Sequence, residues 1–232
     1  MNKELISLKN VYKYHYTDTL ETAALNNLSL DINKNEFVAI MGPSGSGKST
    51  LLNVVGMIDV ASKGEYHFDG KAVHQLNENK RTKLRKGNVS FVFQSFNLID
   101  ELTAYENVEL PLLYLGVSAQ TRKESVESVL KDLEMMHRRD HFPQQLSGGQ
   151  QQRIAIARAV VTQPKLILAD EPTGNLDSKN SEAVMAILQK LHHQGSTLVM
   201  VTHSQHDANY AERTIELFDG QLLEKENELI KS

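Results

Sequence analysis

The sequence predicts an α/β fold built around a mostly parallel sheet, and three observations lead to this prediction. Short apolar runs typical of strands alternate with stretches of helical periodicity. A glycine-rich loop directly follows one predicted strand and precedes a predicted helix. Between about 104 and 161 the pattern becomes helical, which predicts a helical lobe inserted into the sheet.

The predicted elements follow from local patterns in chain order. Strand patterns, either alternating or continuously apolar, occupy residues 5–11, 24–32, 36–41, 64–69, 166–169, 197–201 and 214–218. Helical patterns occupy residues 49–55, 124–136 and 180–192. The second of these helices has one apolar face, formed at spacings of three and four by Val126, Val129, Leu130 and Leu133.

Composition narrows the class of protein. Hydrophobic residues make up 40% and charged residues 23% of the 232 residues, which is typical of a globular chain with a full core. The formal net charge of −4 does not favour electrostatic binding of nucleic acid. The absence of cysteine excludes disulfides, thiolate metal sites and thiol nucleophiles. No apolar run reaches the roughly 18 residues of a membrane-spanning helix, so we expect any membrane role to come from a partner chain.

A phosphate-binding loop is predicted where the strand at 36–41 ends. The pattern G-x-x-x-x-G-K-[ST], in its required setting between a strand and a helix, is formed by Gly42, Pro43, Ser44, Gly45, Ser46, Gly47, Lys48, Ser49 and Thr50. Glycines let successive backbone N–H groups face one anion, and the start of the helix adds its positive end. Lys48 supplies a point charge for the β- and γ-phosphates, and Ser49 offers a hydroxyl to Mg²⁺. The strand–loop–helix setting disfavours the alternative, a chance glycine turn.

Two carboxylates, Asp170 and Glu171, directly follow the predicted strand at 166–169. Asp170 would complete the shell of Mg²⁺ through water, because this ion retains several waters and binds few carboxylates. Glu171 would then polarise the attacking water as a general base. The alternative is a solvated acidic pair that opens the next turn, and the nearby phosphate loop makes it the weaker interpretation.

A second candidate anion site lies at 146–150, where the residues are Leu-Ser-Gly-Gly-Gln. Ser147 is a suitable N-cap, the two glycines leave backbone N–H groups bare, and a helical pattern follows. A glycine turn that only caps the helix is the alternative. A single phosphate loop needs no second anion site unless that site serves the nucleotide of another copy.

The segment 146–150 resembles the signature motif of ABC ATPases, and with the phosphate loop and acidic pair it extends the resemblance over nearly the whole chain. Gln94 resembles the Q-loop glutamine of that family, which reaches Mg²⁺ and the attacking water and connects to the membrane partner. Residues 175–177 resemble the D-loop, which crosses the dimer interface. His203 resembles the switch histidine that contacts the γ-phosphate.

The resemblance implies a P-loop NTPase core with an N-terminal antiparallel β part and an inserted helical subdomain. It treats 1–232 as one ABC ATPase domain, with the nucleotide-binding core at about 1–95 and 160–232 and the helical subdomain at about 96–159. It also implies ATP and Mg²⁺ as cofactors, and a head-to-tail dimer with two ATP at its interface. Each ATP would meet two sets of residues: Lys48, Ser49, Gln94, Asp170, Glu171 and His203 of one copy, and Ser147, Gly149 and Gln150 of the other.

Within this arrangement the resemblance implies distinct roles. The metal ligands would be Ser49, Gln94 and Asp170. The catalytic residues would be Lys48, Gln94, Glu171 and His203. One position departs from the pattern, because the aromatic residue that commonly stacks on adenine is replaced here by His15, whose imidazole stacks more weakly than a tyrosine ring.

The stretches 96–111 and 172–178 resemble the lipoprotein-releasing and macrolide-efflux branch of the family. That branch implies an export or envelope-maintenance complex in which the chain drives a membrane permease from the cytoplasmic face of the cell membrane. The apolar residues that follow Gln94 either line a groove for a partner helix or pack the base of the helical lobe: Phe96, Leu98, Ile99 and Leu102.

Two alternative functions remain at this stage. One is a soluble ABC ATPase that acts on nucleic acid or the ribosome, although such proteins usually carry long coiled coils or two fused ATPase domains. The other is a regulator of cell-wall cleavage that acts through a permease-like partner. We expect no nucleic-acid partner.

Overall fold

Two β-sheets organise the computed structural model, which describes residues 3–16 and 21–223. The strands are β1 (Glu4–Tyr16), β2 (Glu21–Asn33), β3 (Phe37–Met41), β4 (Lys63–Phe68), β5 (Lys71–Ala72), β6 (Val89–Phe93), β7 (Leu166–Asp170), β8 (Thr197–Val201), β9 (Arg213–Phe218) and β10 (Gln221–Leu223). The α-helices are α1 (Lys48–Val55), α2 (Glu78–Arg85), α3 (Ala104–Tyr114), α4 (Ala119–Asp132), α5 (Gly148–Val160), α6 (Ser178–His193) and α7 (Gln205–Ala208).

The larger sheet has the strand order β10-β9-β3-β8-β7-β6, and all of its pairs are parallel except β10 with β9. The smaller sheet has the order β2-β1-β4-β5 and is antiparallel throughout. The predicted fold class is therefore confirmed, including the mostly parallel sheet and the antiparallel N-terminal part.

The central strand β3 separates two hydrophobic cores. Val38 and Ile40 face the core that is shared with the antiparallel sheet and α1. Phe37 and Ala39 face the core that is shared with the helices of the middle segment and with α6. All four side chains are fully buried, as expected for a parallel strand covered on both faces. The end of β3 is consequently a rigid base for the loop that follows.

Helices α3, α4 and α5 form the helical lobe, and each starts at a hydroxyl N-cap. Thr103 forms a capping box with Glu106 at the start of α3. Ser118 caps α4, so this helix begins five residues before the predicted start at 124, and it ends at Asp132 instead of 136. The early end coincides with Glu134, whose φ of 60° is incompatible with a right-handed helix. Within the described ranges, no helix combines the length and apolar character that crossing a bilayer requires.

Candidate nucleotide-binding site

The carboxyl ends of β3, β7 and β8 meet at one edge of the larger sheet. Their register pairs Ile40 with Val201 and Val201 with Asp170. The phosphate loop follows the first of these strands, the acidic pair ends the second, and His203 follows the third. Parallel α/β sheets bind ligands at this edge, so the topology brings together three segments that are far apart in the sequence.

Close backbone contacts require two glycines of the phosphate loop. A Cβ atom on Gly42 would lie 2.1 Å from the carbonyl oxygen of Leu217. Gly47 has a φ of 101°, and a Cβ there would lie 2.3 Å from the carbonyl oxygen of Ala24. Any side chain at either position would displace the loop from the strands behind it, so the curled loop depends on these glycines.

Lys48 starts α1 and carries the cation of the phosphate loop. Its Nζ donates hydrogen bonds to the carbonyl oxygens of Gly42, at 2.7 Å, and Pro43, at 2.8 Å. The side chain is buried, so these bonds hold the ammonium group within the curl of the loop. A phosphate that enters the loop meets this charge together with the backbone N–H groups at the start of α1.

Asp170 supplies a half-buried carboxylate beside the phosphate loop. Burial raises the pKa of Asp170 above its ordinary value, and the neighbouring Glu171 raises it further. Lys48 and a hydrogen bond from the Ser49 hydroxyl act in the opposite direction. A carboxylate in contact with a hydroxyl is a pair of hard oxygen donors that fits Mg²⁺.

Glu171 and His203 lie in direct contact. His203 Nδ1 is 2.9 Å from Glu171 Oε2, and the imidazole is largely exposed whereas the carboxylate is mostly buried. Glu171 has a φ of 45°, a left-handed conformation that costs a non-glycine residue on the order of 1 kcal/mol. Its backbone N–H donates to the carbonyl oxygen of Val201, at 2.9 Å, and this bond holds the strained turn against the next strand.

Most of these groups line one cleft of about 500 Å³, although Gly42 and Asp170 are not among its lining residues. The cleft is lined by phosphate-loop residues, by one residue of β2 and by the contacting residues Glu171 and His203. Its full lining is Ala24, Ser44, Gly45, Gly47, Lys48, Ser49, Thr50, Glu171 and His203. The cleft therefore unites most of the predicted phosphate-binding residues with the predicted base.

Gln94 lies at the end of β6, next to the acidic pair. The register pairs Phe93 with Asp170, so the residues that follow, Gln94 and Glu171, leave the sheet side by side. Gln94 Nε2 donates to Asn175 Oδ1 at 3.2 Å, and Asn175 Nδ2 donates back to the carbonyl oxygen of Gln94 at 3.0 Å. Gln94 and Asn175, which are 81 residues apart in the sequence, are thus joined by two hydrogen bonds.

The second predicted anion site is built as expected but stands apart from this cleft. Ser147 Oγ accepts from the backbone N–H of Gln150 at 3.3 Å, and Gln150 Oε1 accepts from the backbone N–H of Ser147 at 3.0 Å. A Cβ on Gly149 would lie 2.1 Å from Asn180 Oδ1, so a side chain there would displace the Asn180 side chain where α5 meets α6. Among the described residues that line the cleft, none belongs to 146–150.

His15 is exposed near the end of β1, and it does not line the cleft as described. The preceding part of the strand is held by an ion pair between Lys13 and Asp59, at 2.6 Å. The ring of Tyr14 stacks on that of Tyr12 with 6.1 Å between centroids. The contact of His15 with adenine stays a prediction.

Sequence reasoning missed several polar residues that organise the loops around the site. Gln152 is fully buried in α5, and its Nε2 donates to the carbonyl oxygen of Pro172 at 2.5 Å. Asp207 is buried in α7 and accepts a hydrogen bond from the hydroxyl of Thr173. Asn107 is buried in α3 and bonds the backbone of the loop at 99–103. For Asn107 the signal is a polar residue within the apolar pattern of α3, whereas Gln152 follows two other glutamines and shows no such contrast.

The fold and the phosphate loop define the class of protein as a P-loop NTPase. A family model described as ABC transporter matches residues 25–174. The chain is 47% identical over 220 residues to the uncharacterized ABC transporter ATP-binding protein MJ1508 of Methanocaldococcus jannaschii, which covers 95% of this chain and 98% of that protein.

Two further relatives connect the chain with transport and with a solved structure. It is 49% identical over 219 residues to the macrolide export ATP-binding/permease protein MacB of Campylobacter jejuni, covering 94% of this chain but 34% of that protein, so it spans about a third of this longer relative. A dimeric structure of a post-hydrolysis state of the ATP-binding cassette MJ0796, bound to ADP and Pi, matches with a TM-score of 0.87 at 46% identity, covering 94% of this chain and 97% of that chain.

The chain belongs to the ABC transporter family. It is the ATP-binding and ATP-hydrolysing component of an ABC-type system, and its similarity extends to the lipoprotein-releasing and macrolide-efflux branch.

Proposed function

We propose that this chain drives an export or envelope-maintenance permease by dimerising head to tail around two ATP with Mg²⁺. One observation carries the dimer: the anion site at Ser147 and Gly149 does not line the cleft of its own phosphate loop. An N-capped helix start with bare N–H groups gains a role when it binds the nucleotide held by a second copy. Solved structures of the similar cassette MJ0796 are dimeric, which supports dimer formation by this chain.

The proposed chemistry assigns one task to each part of the cleft. Lys48 and the loop backbone bind the β- and γ-phosphates. Ser49, Asp170 and Gln94 hold Mg²⁺, which when bound offsets the charge of the phosphate oxygens. Glu171 accepts a proton from the attacking water, and its contact with His203 fixes the direction of its carboxylate.

The proposed division of the chain into two subdomains explains how ATP binding and hydrolysis can produce movement. In it, residues 1–95 and 160–232 hold ATP, and the helical subdomain at 96–159 carries the signature motif to the other copy. His15 contacts the adenine ring in this proposal. ATP joins the two copies, and its hydrolysis lets them separate, which gives a two-state cycle that a permease can follow.

A groove next to the helical lobe is the proposed contact with the permease. It has a volume of about 400 Å³, and its apolar lining includes Ile58, Phe91 and Tyr114. The ring of Tyr114 is 67% exposed and Ile58 is 48% exposed. Of the loop after Gln94, Leu98 packs against the core of the helical lobe whereas Ile99 stays 38% exposed. Binding of a membrane partner here would bring the chain to the cytoplasmic face of the membrane.

Replacement of the proposed base tests this function. Glu171→Gln should slow hydrolysis by about 10²–10⁴-fold, because it removes the proton acceptor. ATP binding should persist, so light scattering should show a dimer in MgATP and a monomer without nucleotide. Glu65→Gln, an exposed carboxylate on β4, is the matched control and should hydrolyse ATP like the wild type. A variant that binds MgATP yet stays monomeric at all concentrations would contradict the shared sites.

A further inference from the structure

The carboxamide of Gln94 has a defined orientation in this structure. Its Nε2 donates to Asn175 Oδ1 at 3.2 Å, so the nitrogen end of the amide is engaged. Its Oε1 accepts no hydrogen bond from the described part of the chain, so the oxygen end remains available. A carboxamide offers Mg²⁺ its oxygen and never its nitrogen, which makes this orientation decisive for a metal ligand.

Asn175 is well placed to set that orientation because its own loop is tightly held. The backbone N–H of Gly174 donates to the carbonyl oxygen of Glu171 at 3.0 Å, and that of Leu176 donates to Thr173 at 2.9 Å. The Thr173 hydroxyl is tied to buried Asp207. Asn175 Nδ2 also bonds the carbonyl oxygen of Gln94 at 3.0 Å, which orients its Oδ1 toward the carboxamide.

The adjacent glycine leaves the space that this arrangement needs. A Cβ on Gly174 would lie 2.6 Å from Gln94 Nε2 and 3.0 Å from its Cδ. Gly174 does not have a positive φ, so the backbone itself accepts alanine. The absence of a side chain therefore serves the Gln94 carboxamide, and Gly174→Ala would push that group away.

We propose that Asn175 is a positioning residue for ATP hydrolysis, holding the nitrogen of the Gln94 carboxamide so that its oxygen is presented to the metal. Partners of this kind orient a ligand without touching the metal, and their loss typically reduces metal affinity or activity by about 10–100-fold. The inference rests on the proposed role of Gln94 as a ligand of Mg²⁺. It adds that the D-loop residue Asn175 determines whether the carboxamide oxygen of Gln94 is oriented toward the metal.

The test compares nucleotide affinity with and without the metal. In the Glu171→Gln background, where hydrolysis is slow, calorimetry gives the affinity for ATP in Mg²⁺ and in EDTA, and their ratio reports the contribution of the metal. Asn175→Leu should lower this ratio by about 10-fold. The affinity in EDTA should not change, because the phosphate loop is untouched. A purely structural defect would instead lower both affinities and leave the ratio intact.

Two further variants separate the acceptor from the rest of the side chain. Asn175→Asp retains an oxygen at the position of Oδ1 but loses the Nδ2 donor to the carbonyl oxygen of Gln94, so it should lower the ratio less than Asn175→Leu does. Gly174→Ala would displace the same carboxamide through a close contact with Nε2, so it should reproduce the effect of Asn175→Leu. Asn209→Leu is the matched control, because it removes an amide pair at the surface, Gln205 Nε2 to Asn209 Oδ1 at 3.1 Å, and should leave the ratio unchanged.

A double-mutant cycle decides whether Asn175 acts through Gln94. In a Gln94→Ala background, Asn175→Leu should cause no additional loss. The inference is overturned if Asn175→Leu lowers the ratio there as well, if it leaves the ratio unchanged with Gln94 present, or if Gln94→Ala itself has no effect. If MgATP still drives dimer formation in the first two cases, the proposed function stands and only the role of Asn175 is lost. If Gln94→Ala has no effect, the proposed role of Gln94 as a metal ligand is lost as well, while the ATP-driven dimer stands.

Discussion

Asp170 and Asp69 carry the same carboxyl group in opposite electrostatic surroundings. Burial raises the pKa of Asp170, and the adjacent carboxylate of Glu171 raises it further. Hydrogen bonds from Lys165 and Lys34, both at 2.7 Å, lower the pKa of Asp69 to about 2. The first group is arranged for a ligand that favours its charge, whereas the second serves the folded chain alone.

The raised pKa makes Asp170→Asn a stabilising change in the nucleotide-free chain. Above its pKa the wild-type carboxyl is ionised in a partly buried site near Glu171, and this disfavours folding. At pH 7 the variant should therefore unfold at a temperature about 1–3 °C higher, and the difference should vanish as the pH falls and Asp170 becomes neutral. Calorimetric melting between pH 4 and 7.5 measures this, while Mg²⁺-dependent ATP binding should be lost. A lower melting temperature at pH 7 would contradict the assignment.

Asp69→Asn is the control of opposite sign. Because the pKa of Asp69 is depressed in the folded state, its ionised form contributes stability above its unfolded pKa, and that stability is lost as the pH falls toward 2. The substitution should lower the melting temperature at pH 7. Asn tolerates the positive φ of 47° at this position, so charge is the main property that changes.

At the scale of elements, the groove beside α3 combines an exposed apolar surface with basic side chains. Lys86 Nζ lies 4.2 Å from the centroid of the Tyr114 ring, and the guanidinium of Arg158 lines the same groove. Arg158 bonds the carbonyl oxygens of Phe96, at 2.8 Å, and Asn97. A partner helix in this groove would thus lie against a side chain that holds the loop after Gln94.

Tyr114→Glu tests the groove as the membrane contact. A charge in the centre of an apolar interface should weaken attachment by about 10-fold or more, because central aromatic residues commonly dominate binding. The measurement is the fraction of the chain that sediments with membranes of cells that also express the permease. Phe218→Glu, a 52% exposed aromatic on β9 outside the groove, is the control and should sediment like the wild type. Equal sedimentation of both variants would exclude this groove.

The bounds of the strands and loops show which parts of the fold the sequence can predict. The apolar run of β7 and the phosphate loop after β3 were predicted at nearly their observed bounds, because both depend on local pattern. Strand β1 extends to Tyr16, well past the predicted end at 11, since its pairing with β2 continues beyond the bulge near Asn10. The pair of Gln94 with Asn175 joins residues 81 positions apart, and no local pattern encodes such a contact.

At the scale of the whole molecule, two anion-binding helix starts belong to different parts of the fold. Helix α1 begins in the core behind the phosphate loop, and α5 begins in the helical lobe behind the signature segment. Local sequence patterns predicted both, but the distance between them depends on how the lobe packs on the sheet. The cleft at α1 lacks any described residue of 146–150. In the proposed dimer each copy would therefore contribute its phosphate loop to one ATP site and its segment 146–150 to the other, as two half-sites.

Mixing two inactive variants tests these half-sites directly. Lys48→Ala removes the phosphate-loop cation, and Ser147→Arg blocks the signature segment, so each variant alone should be inactive. In a head-to-tail dimer of one chain of each kind, both defects fall in one site and the other site is intact. An equimolar mixture should therefore regain roughly a quarter of wild-type ATPase activity if the sites act independently. Light scattering with differently sized tags verifies that heterodimers are present in the mixture. If activity is still not recovered, either both complete sites must hydrolyse ATP together or each chain completes its own site. A wild-type chain covalently linked to a Lys48→Ala/Ser147→Arg chain then separates these two. Shared sites would each carry one defect and be inactive, whereas a wild-type chain that completes its own site would remain active.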